Sequence, residues 1–412
     1  MRNIILFSFL FLSISRFARG EQLPSCDLAT PQDVLRCALK NHPDILRSEI
    51  QIKKAGAYDK LARQRPNPEL ESEAASQSGD DNPSFTAQAA YLHTFELGSK
   101  RKKRVGQADA KKNLILVQAA LAREEVALKT VIHLHRLRQI SSELQIIDEA
   151  LATFDTIIRQ YKSRRALSPE QNVSLNVFLL AQGDYVLKKS ALLQEKETMR
   201  AYFEIATGAG LEGIMQALPA KKQMWPTLED ETLATMNGAR FRELEAQANL
   251  SKSDVQAAES EASPDLQFGP MVEIENGRGQ DSEAFGAALN LPLPIMNQNQ
   301  GGIALAKADA ESAEANARLR RQELKAEISS LARIYKEAVN ALMNTPSVPQ
   351  METKHKNMEE LFERGLVSAS LIIEAHRQIA EFAKDQNEQE LKAVQALWTL
   401  YALQGRILEE QL

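Results

Sequence analysis

Apolar residues at alternating three- and four-residue spacing, Leu137, Ile140, Leu144, Ile147, Leu151, Phe154, Ile158 and Tyr161, constrain this chain more than any other feature. That spacing is an a/d seam, the mark of helices that pack along their whole length. A helix from about Ser99 to Ser163 is roughly 100 Å long at 1.5 Å per residue, which exceeds any compact domain. Arg164 to Pro169 turn the chain back. The pattern resumes in Leu324, Ile328, Leu331, Tyr335, Ala338 and Leu342, and again in Leu391, Val394, Trp398 and Tyr401. Between those runs, "NTPSVPQ" (344–350) carries two prolines that forbid a continuous helix.

The chain repeats itself at a spacing of about 200 residues. "RPNPEL" (65–70) matches "ASPDLQF" (262–268). "RVGQADAKKN" (104–113) matches "LAKADAESAE" (305–314), slightly shifted. "RRALSPEQ" (164–171) matches "RGLVSASL" (364–371). Each half reads helix, proline break, strand, polar loop, strand, long helix, short turn, long helix. The expected units are residues 21–220, with a strand pair at 69–97 and a helical hairpin at 99–210, and residues 221–412, with a strand pair at 265–293 and a hairpin at 297–412.

The strands alternate with a period of two. Leu266, Phe268, Pro270, Val272 and Ile274 share one face; Gln267, Gly269, Met271, Glu273 and Glu275 share the other. Phe285, Ala287, Leu289, Leu291 and Leu293 repeat the pattern, as do Phe85, Ala87, Ala89, Tyr91 and Phe95. A weaker strand at 69–77 has Glu69, Glu71 and Glu73 on its polar side. Each is about ten residues, the length of a tilted strand that crosses a bilayer. Four strands cannot close a barrel, and lipid tolerates no open edge, so several copies must share one.

The first twenty residues read as a secretory signal cleaved after Gly20: Arg2, an apolar run from Ile4 to Ile14, then a small-x-small site at Ala18-Arg19-Gly20. No later stretch approaches twenty apolar residues. Removing Arg2, Arg16 and Arg19 with that segment takes the formal charge from −5 to −8, which argues against a nucleic-acid partner. Abundant Ala, Glu, Gln, Lys and Leu with few aromatics is the composition of long helices. The two cysteines, Cys26 and Cys37, are a close pair that an oxidising compartment would join. "LPSC" (23–26) invites a lipoprotein reading, but Pro24 is unusual there and Glu21 and Gln22 separate the cysteine from the apolar run.

Taken together, "ALKNHPDI" (38–45), "RPNPEL", "ASPDL" (262–266), "LNLPLPIMNQNQGGIALAKAD" (289–309), "ALSPEQ" and "RGLVSASLIIEA" resemble the TolC-type outer membrane factors, and within them the heavy-metal (cobalt-zinc-cadmium or copper-silver) efflux branch. The resemblance covers nearly the whole chain after the signal. It implies a homotrimer in which a twelve-stranded outer-membrane barrel, four strands per chain, continues into a helical tunnel in the periplasm of a Gram-negative bacterium. The implied partners are a periplasmic adaptor, an inner-membrane pump and outer-membrane lipid. On this reading Leu291 and Leu293 finish a lipid-facing strand, and Pro292 and Pro294 stop its pairing. Gly301 and Gly302 then turn the backbone into the tunnel, as Gly98 does in the first half. Leu167, Ser168, Gly365, Leu366 and Ser368 align with the family's adaptor-docking tip, and Arg164, Arg165 and Arg364 are candidates for a gate.

No nucleophile constellation, phosphate loop or cofactor motif is present, and the expectation is a chain with no catalytic, cofactor or metal residues. The six histidines are scattered; His133 and His135, two apart on a helix, make a poor metal pair and read as partly exposed. Lys100 to Arg104 reads as a solvated helix start, with anionic headgroups as the alternative ligand. The leading function is a passive exit duct of a tripartite efflux system. The alternatives are a type I protein-secretion duct and a soluble periplasmic coiled-coil scaffold.

Overall fold

A computed structural model describes residues 26–77, 84–228, 236–277 and 281–412; the expected signal, residues 1–20, lies outside the described residues. Helix α1 (Pro31–Asn41) opens at a capping box, in which the Asp33 amide donates to Thr30 Oγ1 at 3.2 Å and the Thr30 amide donates to Asp33 Oδ2 at 2.9 Å. Helix α2 (Pro43–Arg63) leads to strands β1 (Glu69–Gln77) and β2 (Ser84–Glu96). Helices α3 (Lys100–Lys162) and α4 (Pro169–Thr207) form the first long hairpin, and a short α5 (Leu211–Gln216) follows. Helix α6 (Ala239–Ser260), strands β3 (Asp265–Asn276) and β4 (Ser282–Asn290), and helices α7 (Gln300–Asn344), α8 (Val348–Glu363) and α9 (Ala369–Gln404) complete the chain.

The order repeats: a helix, two strands, then a long hairpin whose inbound arm is broken in the second half. The break falls at Thr345–Ser347, where Pro346 ends α7 and Ser347 starts α8 through a capping box with Gln350. Among the described residues no helix is long and apolar enough to cross a membrane.

Helix α3 is the spine. At 63 residues it is about 95 Å long. Most of its seam is buried: Leu137, Ile140 and Phe154 are fully enclosed, while Leu144, Leu151 and Tyr161 are half-buried. Val131 meets Tyr335 of α7 and Leu397 and Trp398 of α9 in the central cluster. Leu134 and Leu137 pack on Met199 and Phe203 of α4 and on Ile214 of α5. Toward the far end Phe154 stacks on Phe178 and Tyr185 of α4, beside Ile372 of α9. The core is thus a string of clusters along one rod, held by side-by-side helices and not by a central globule.

Cys26 and Cys37 form a disulfide, with S–S 1.96 Å and Cα atoms 5.9 Å apart. The bond staples the segment before Thr30 onto the buried face of α1. Closing a loop of this length contributes about 3 kcal/mol in the chain-entropy account. Alkylation without reduction is therefore expected to label neither cysteine. Reduction is expected to label both and expose the segment before α1 to protease, without loss of far-UV helicity; two cysteines reactive before reduction would contradict the bond.

Candidate functional site

The four strands form one antiparallel sheet in the order β1-β2-β3-β4. Its register carries the sequence alternation across all four strands. Leu70 faces Tyr91, Ala89 faces Val272, and Val272 faces Phe285; His93 faces Phe268, which faces Leu289. Directly opposed residues share a face, so these side chains make one apolar surface. It is bare: Leu70, Phe95, Phe268 and Leu289 are all exposed, and Phe285 is 80% exposed. The reverse face is acidic. Glu73 faces Gln88, which faces Glu273, and Glu275 lies beside Thr86. Within the described chain β1 and β4 have a partner on one side only.

Strand β4 ends at Asn290, so Leu291 and Leu293 lie beyond the ladder and do not finish it. Pro292 has no amide to donate, and pairing stops three residues short of Leu293, where the apolar pattern ends. The entry to α7 also differs from the expectation at Gly301 and Gly302. Both are ordinary residues of α7; the left-handed position is Asn299, φ 55°. Asn299 Nδ2 donates to the Ala258 carbonyl at 2.8 Å, anchoring the turn on α6. Gly302 is needed for space, since a Cβ there would fall on the Asn299 side chain; Gly301 has no such neighbour. The first half places Ser99, φ 61°, at the same point, after Gly98 at φ 65°. A Cβ on Gly98 would also strike Ser263.

Lys100 to Arg104 is a solvated helix start only in part. Lys100 is buried, with Nζ 2.9 Å from Asp265 and 3.6 Å from Glu261. Arg104 pairs with Glu96 and donates to the Gln64 carbonyl at 3.1 Å. These cations pin the first residues of α3 to the sheet base; Arg101 and Lys102 stay exposed.

Midway along the rod a polar belt crosses three helices. Arg138 of α3 pairs with Glu390 of α9, which is 1% exposed and also accepts from Gln139 at 3.3 Å and from the Lys222 amide at 3.3 Å. Arg136 bridges Glu143 at 2.8 Å and Glu195 of α4 at 2.7 Å. Asn387 donates to Glu143 at 2.9 Å. Removing one partner of such a pair costs about 3–5 kcal/mol, so the belt fixes the register of α3, α4 and α9. Close by, His135 is buried, not partly exposed, and His133 packs edge-on against Tyr202 at 4.2 Å. Burial pushes both imidazoles down to about 4.

The two helix turns farthest from the sheet lie side by side. Arg164, Ser168, Gly365 and Ser368 line one open cleft of about 860 Å³. Ser168 caps α4, accepting from the Gln171 amide at 3.2 Å. Ser368 Oγ lies 2.9 Å from Ser370 Oγ and makes no cap bond. Gly365 is the left-handed residue after α8, φ 74°, with its amide on the Phe362 carbonyl at 2.8 Å and the Leu366 amide on Leu361 at 2.9 Å. That is a Schellman motif. Its usual apolar contact is weak, since Leu366 is 68% exposed; Leu167 is half-buried. Arg164 lies over the Tyr161 ring at 5.2 Å, and Arg165 and Arg364 are exposed. Among the described side chains none of the three arginines is paired with a carboxylate.

Sequence reasoning missed one cluster. His355 and Glu359 of α8 and His376 of α9 converge near the tip, although the sequence suggested only scattered histidines. The signal was present in part: His355 and Glu359 are four apart and share a helix face.

No protein-family model and no curated protein sequence matches the chain. Solved structures do. The CmeC outer membrane channel of Campylobacter jejuni superposes with a TM-score of 0.69 at 14% identity, over 97% of this chain and 94% of that one. The outer-membrane channel OprN gives 0.72 at 14% identity, over 93% and 94%. CusC, described for its folding and transmembrane channel formation, gives 0.66 at 12% identity, over 96% and 99%. From end to end, the chain has the fold of these outer-membrane channels.

Proposed function

We propose that this protein is the outer-membrane exit duct of a tripartite efflux system of a Gram-negative bacterium. Three copies join β1 of one chain to β4 of the next and close a twelve-stranded barrel, and their hairpins form a periplasmic tunnel. The duct does no chemistry; a periplasmic adaptor docks on the Leu167–Ser168 and Gly365–Ser368 turns, and an inner-membrane pump supplies energy. Residues 21–220 and 221–412 are its two repeats, in line with left-handed junctions at Ser99 and Asn299 and tip caps at Ser168 and Ser368, each pair about 200 residues apart.

One observation carries this reading: a four-stranded sheet with two unpaired edges, bare and apolar on one face and acidic on the other, at the end of a rod of long helices. In water such edges invite aggregation; in lipid they must be closed. The acidic inner face, with Glu73 and Glu273 across one strand from each other, favours cations as cargo, in keeping with the heavy-metal branch. Mass measurement on detergent-extracted membranes is expected to give three copies, and a deletion strain should become sensitive to divalent heavy metals. A folded monomer from the soluble fraction would sink the architecture; unchanged metal tolerance with a trimer present would remove only the cargo.

A further inference from the structure

His355, Glu359 and His376 bring three metal-ligating side chains to one point between α8 and α9. Each offers a ligand atom, and all three atoms lie within 4.8 Å of one another. Glu359 Oε1 is 3.5 Å from His355 Nε2 and 3.2 Å from His376 Nε2. Ligands at 2.0–2.1 Å on a tetrahedral ion sit about 3.3 Å apart, so both carboxylate–imidazole spacings are close to those of a coordination shell. The site is screened from water. His376 is 3% exposed, and His355 and Glu359 are half-buried. Phe154 covers His376 edge-on with ring centroids 5.1 Å apart, and Thr153 Oγ1 of α3 donates to Glu359 Oε1 at 3.2 Å, an outer-shell bond that orients the carboxylate.

The ring nitrogens explain why a plain hydrogen-bonded triad does not account for the cluster. His355 Nδ1 and Nε2 and His376 Nε2 are buried without a hydrogen-bond partner. His376 Nε2 and His355 Nε2 lie 3.2 and 3.5 Å from Glu359 Oε1, within ion-pair range, but neither meets the full geometry of a hydrogen bond. A buried nitrogen left unpaired is costly, and a lone pair turned toward a carboxylate is repelled by it. A cation held between them takes His355 Nε2, His376 Nε2 and the carboxylate at once; a ring binds one ion through one nitrogen, so His355 Nδ1 is not among its ligands.

We infer that His355, Glu359 and His376 form a binding site for one divalent transition-metal ion per chain, of the class that takes imidazole and carboxylate donors, such as Zn²⁺ or Co²⁺. Two imidazoles and one carboxylate suit these ions; Mg²⁺ and Ca²⁺ prefer oxygen shells. Three protein donors leave a fourth position for water. The ion would join α8 to α9, with Thr153 of α3 orienting its carboxylate ligand. Glu359 lies five residues before Arg364, so the site acts as a staple just above the tip turn. It stands apart from whatever passes through the duct, and its test needs no transport.

The test uses untagged full-length protein in detergent, stripped of metal. Titration with Zn²⁺ is expected to saturate at one ion per chain and to raise the melting temperature, and Mg²⁺ should do neither. Co²⁺ should give the intense visible d–d bands of a four-coordinate site. Glu359→Gln and His376→Gln should each weaken Zn²⁺ binding by more than about 100-fold, beyond the 10–100-fold that loss of an outer-shell partner costs. The metal-free melting temperature reports whether a variant still folds. His355→Gln, at the more open side of the site, serves if His376→Gln does not. The Co²⁺ spectrum of the unaltered protein needs no variant. Absence of stoichiometric Zn²⁺ binding, octahedral Co²⁺ bands, or binding that survives the variants would overturn the assignment and leave a buried His–Glu–His contact.

Discussion

Phe285→Arg is expected to abolish assembly in the membrane. Phe285 is 80% exposed in the single chain. In a soluble protein a substitution at such a site stays within about 0.5 kcal/mol. In a barrel the same side chain faces lipid. Phe285 lies opposite Val272, near the middle of its strand, and Arg at a bilayer midplane costs about 2–4 kcal/mol. Three copies per barrel bring this to about 6–12 kcal/mol, comparable with the whole stability of a domain. Glu283→Arg is the control. It sits on the same face but near the strand end, where the cost falls to about 0–1 kcal/mol. Heat-resistant trimer in the membrane fraction should vanish for the first variant and persist for the second. Trimer yield unchanged in Phe285→Arg would mean that this face never meets lipid, and the soluble-scaffold reading would take its place.

Periodicity made the long elements legible. Most of the a/d seam of α3 is buried, with Leu144, Leu151 and Tyr161 half-buried, and the strand faces match in their register. Both signals come from local repeats, which one sequence shows directly. What failed was of two kinds. The first concerned backbone geometry at junctions. Gly301 and Gly302 looked like the hinge because glycine usually supplies positive φ. Asn299 supplies it instead, its side chain anchored on α6, a partner 41 residues away. The second concerned charge. Lys100 reads as solvent-facing beside Arg101, Lys102, Lys103 and Arg104. Only the fold brings Asp265, 165 residues away, to its ammonium. His376 is the same case: it joins His355 and Glu359 only because the tip turn folds α9 back on α8. Groups that are assembled across a turn have no period to read.

Gly365→Trp should abolish efflux while leaving the trimer intact. Gly365 has two claims on its identity, and the structure separates them. As the left-handed residue of the Schellman motif it caps α8. Any L-residue there costs about 1–2 kcal/mol, tolerable in a chain held together by clusters elsewhere along α3. The space beside it is open, and a Cβ there meets nothing within 4 Å. A tryptophan ring is therefore accommodated by the isolated chain, not by a partner seated on the exposed Leu366 and the cleft that Gly365 lines with Ser168 and Ser368. Gly365→Ala carries the same backbone strain without the bulk. If docking is what needs the glycine, Ala retains efflux and Trp loses it, with equal trimer yield for both. If both lose efflux, the Schellman cap is the reason for the glycine. If both retain it, the adaptor does not meet this turn. Leu366→Asp extends the comparison without touching the backbone, since a carboxylate on a side chain that is already 68% exposed costs the free protein little but places an unpaired charge in an apolar contact. Loss of efflux in both Leu366→Asp and Gly365→Trp, with Gly365→Ala active, would locate the junction on the second hairpin, whose capping serine lacks the side-chain bond that Ser168 makes in the first.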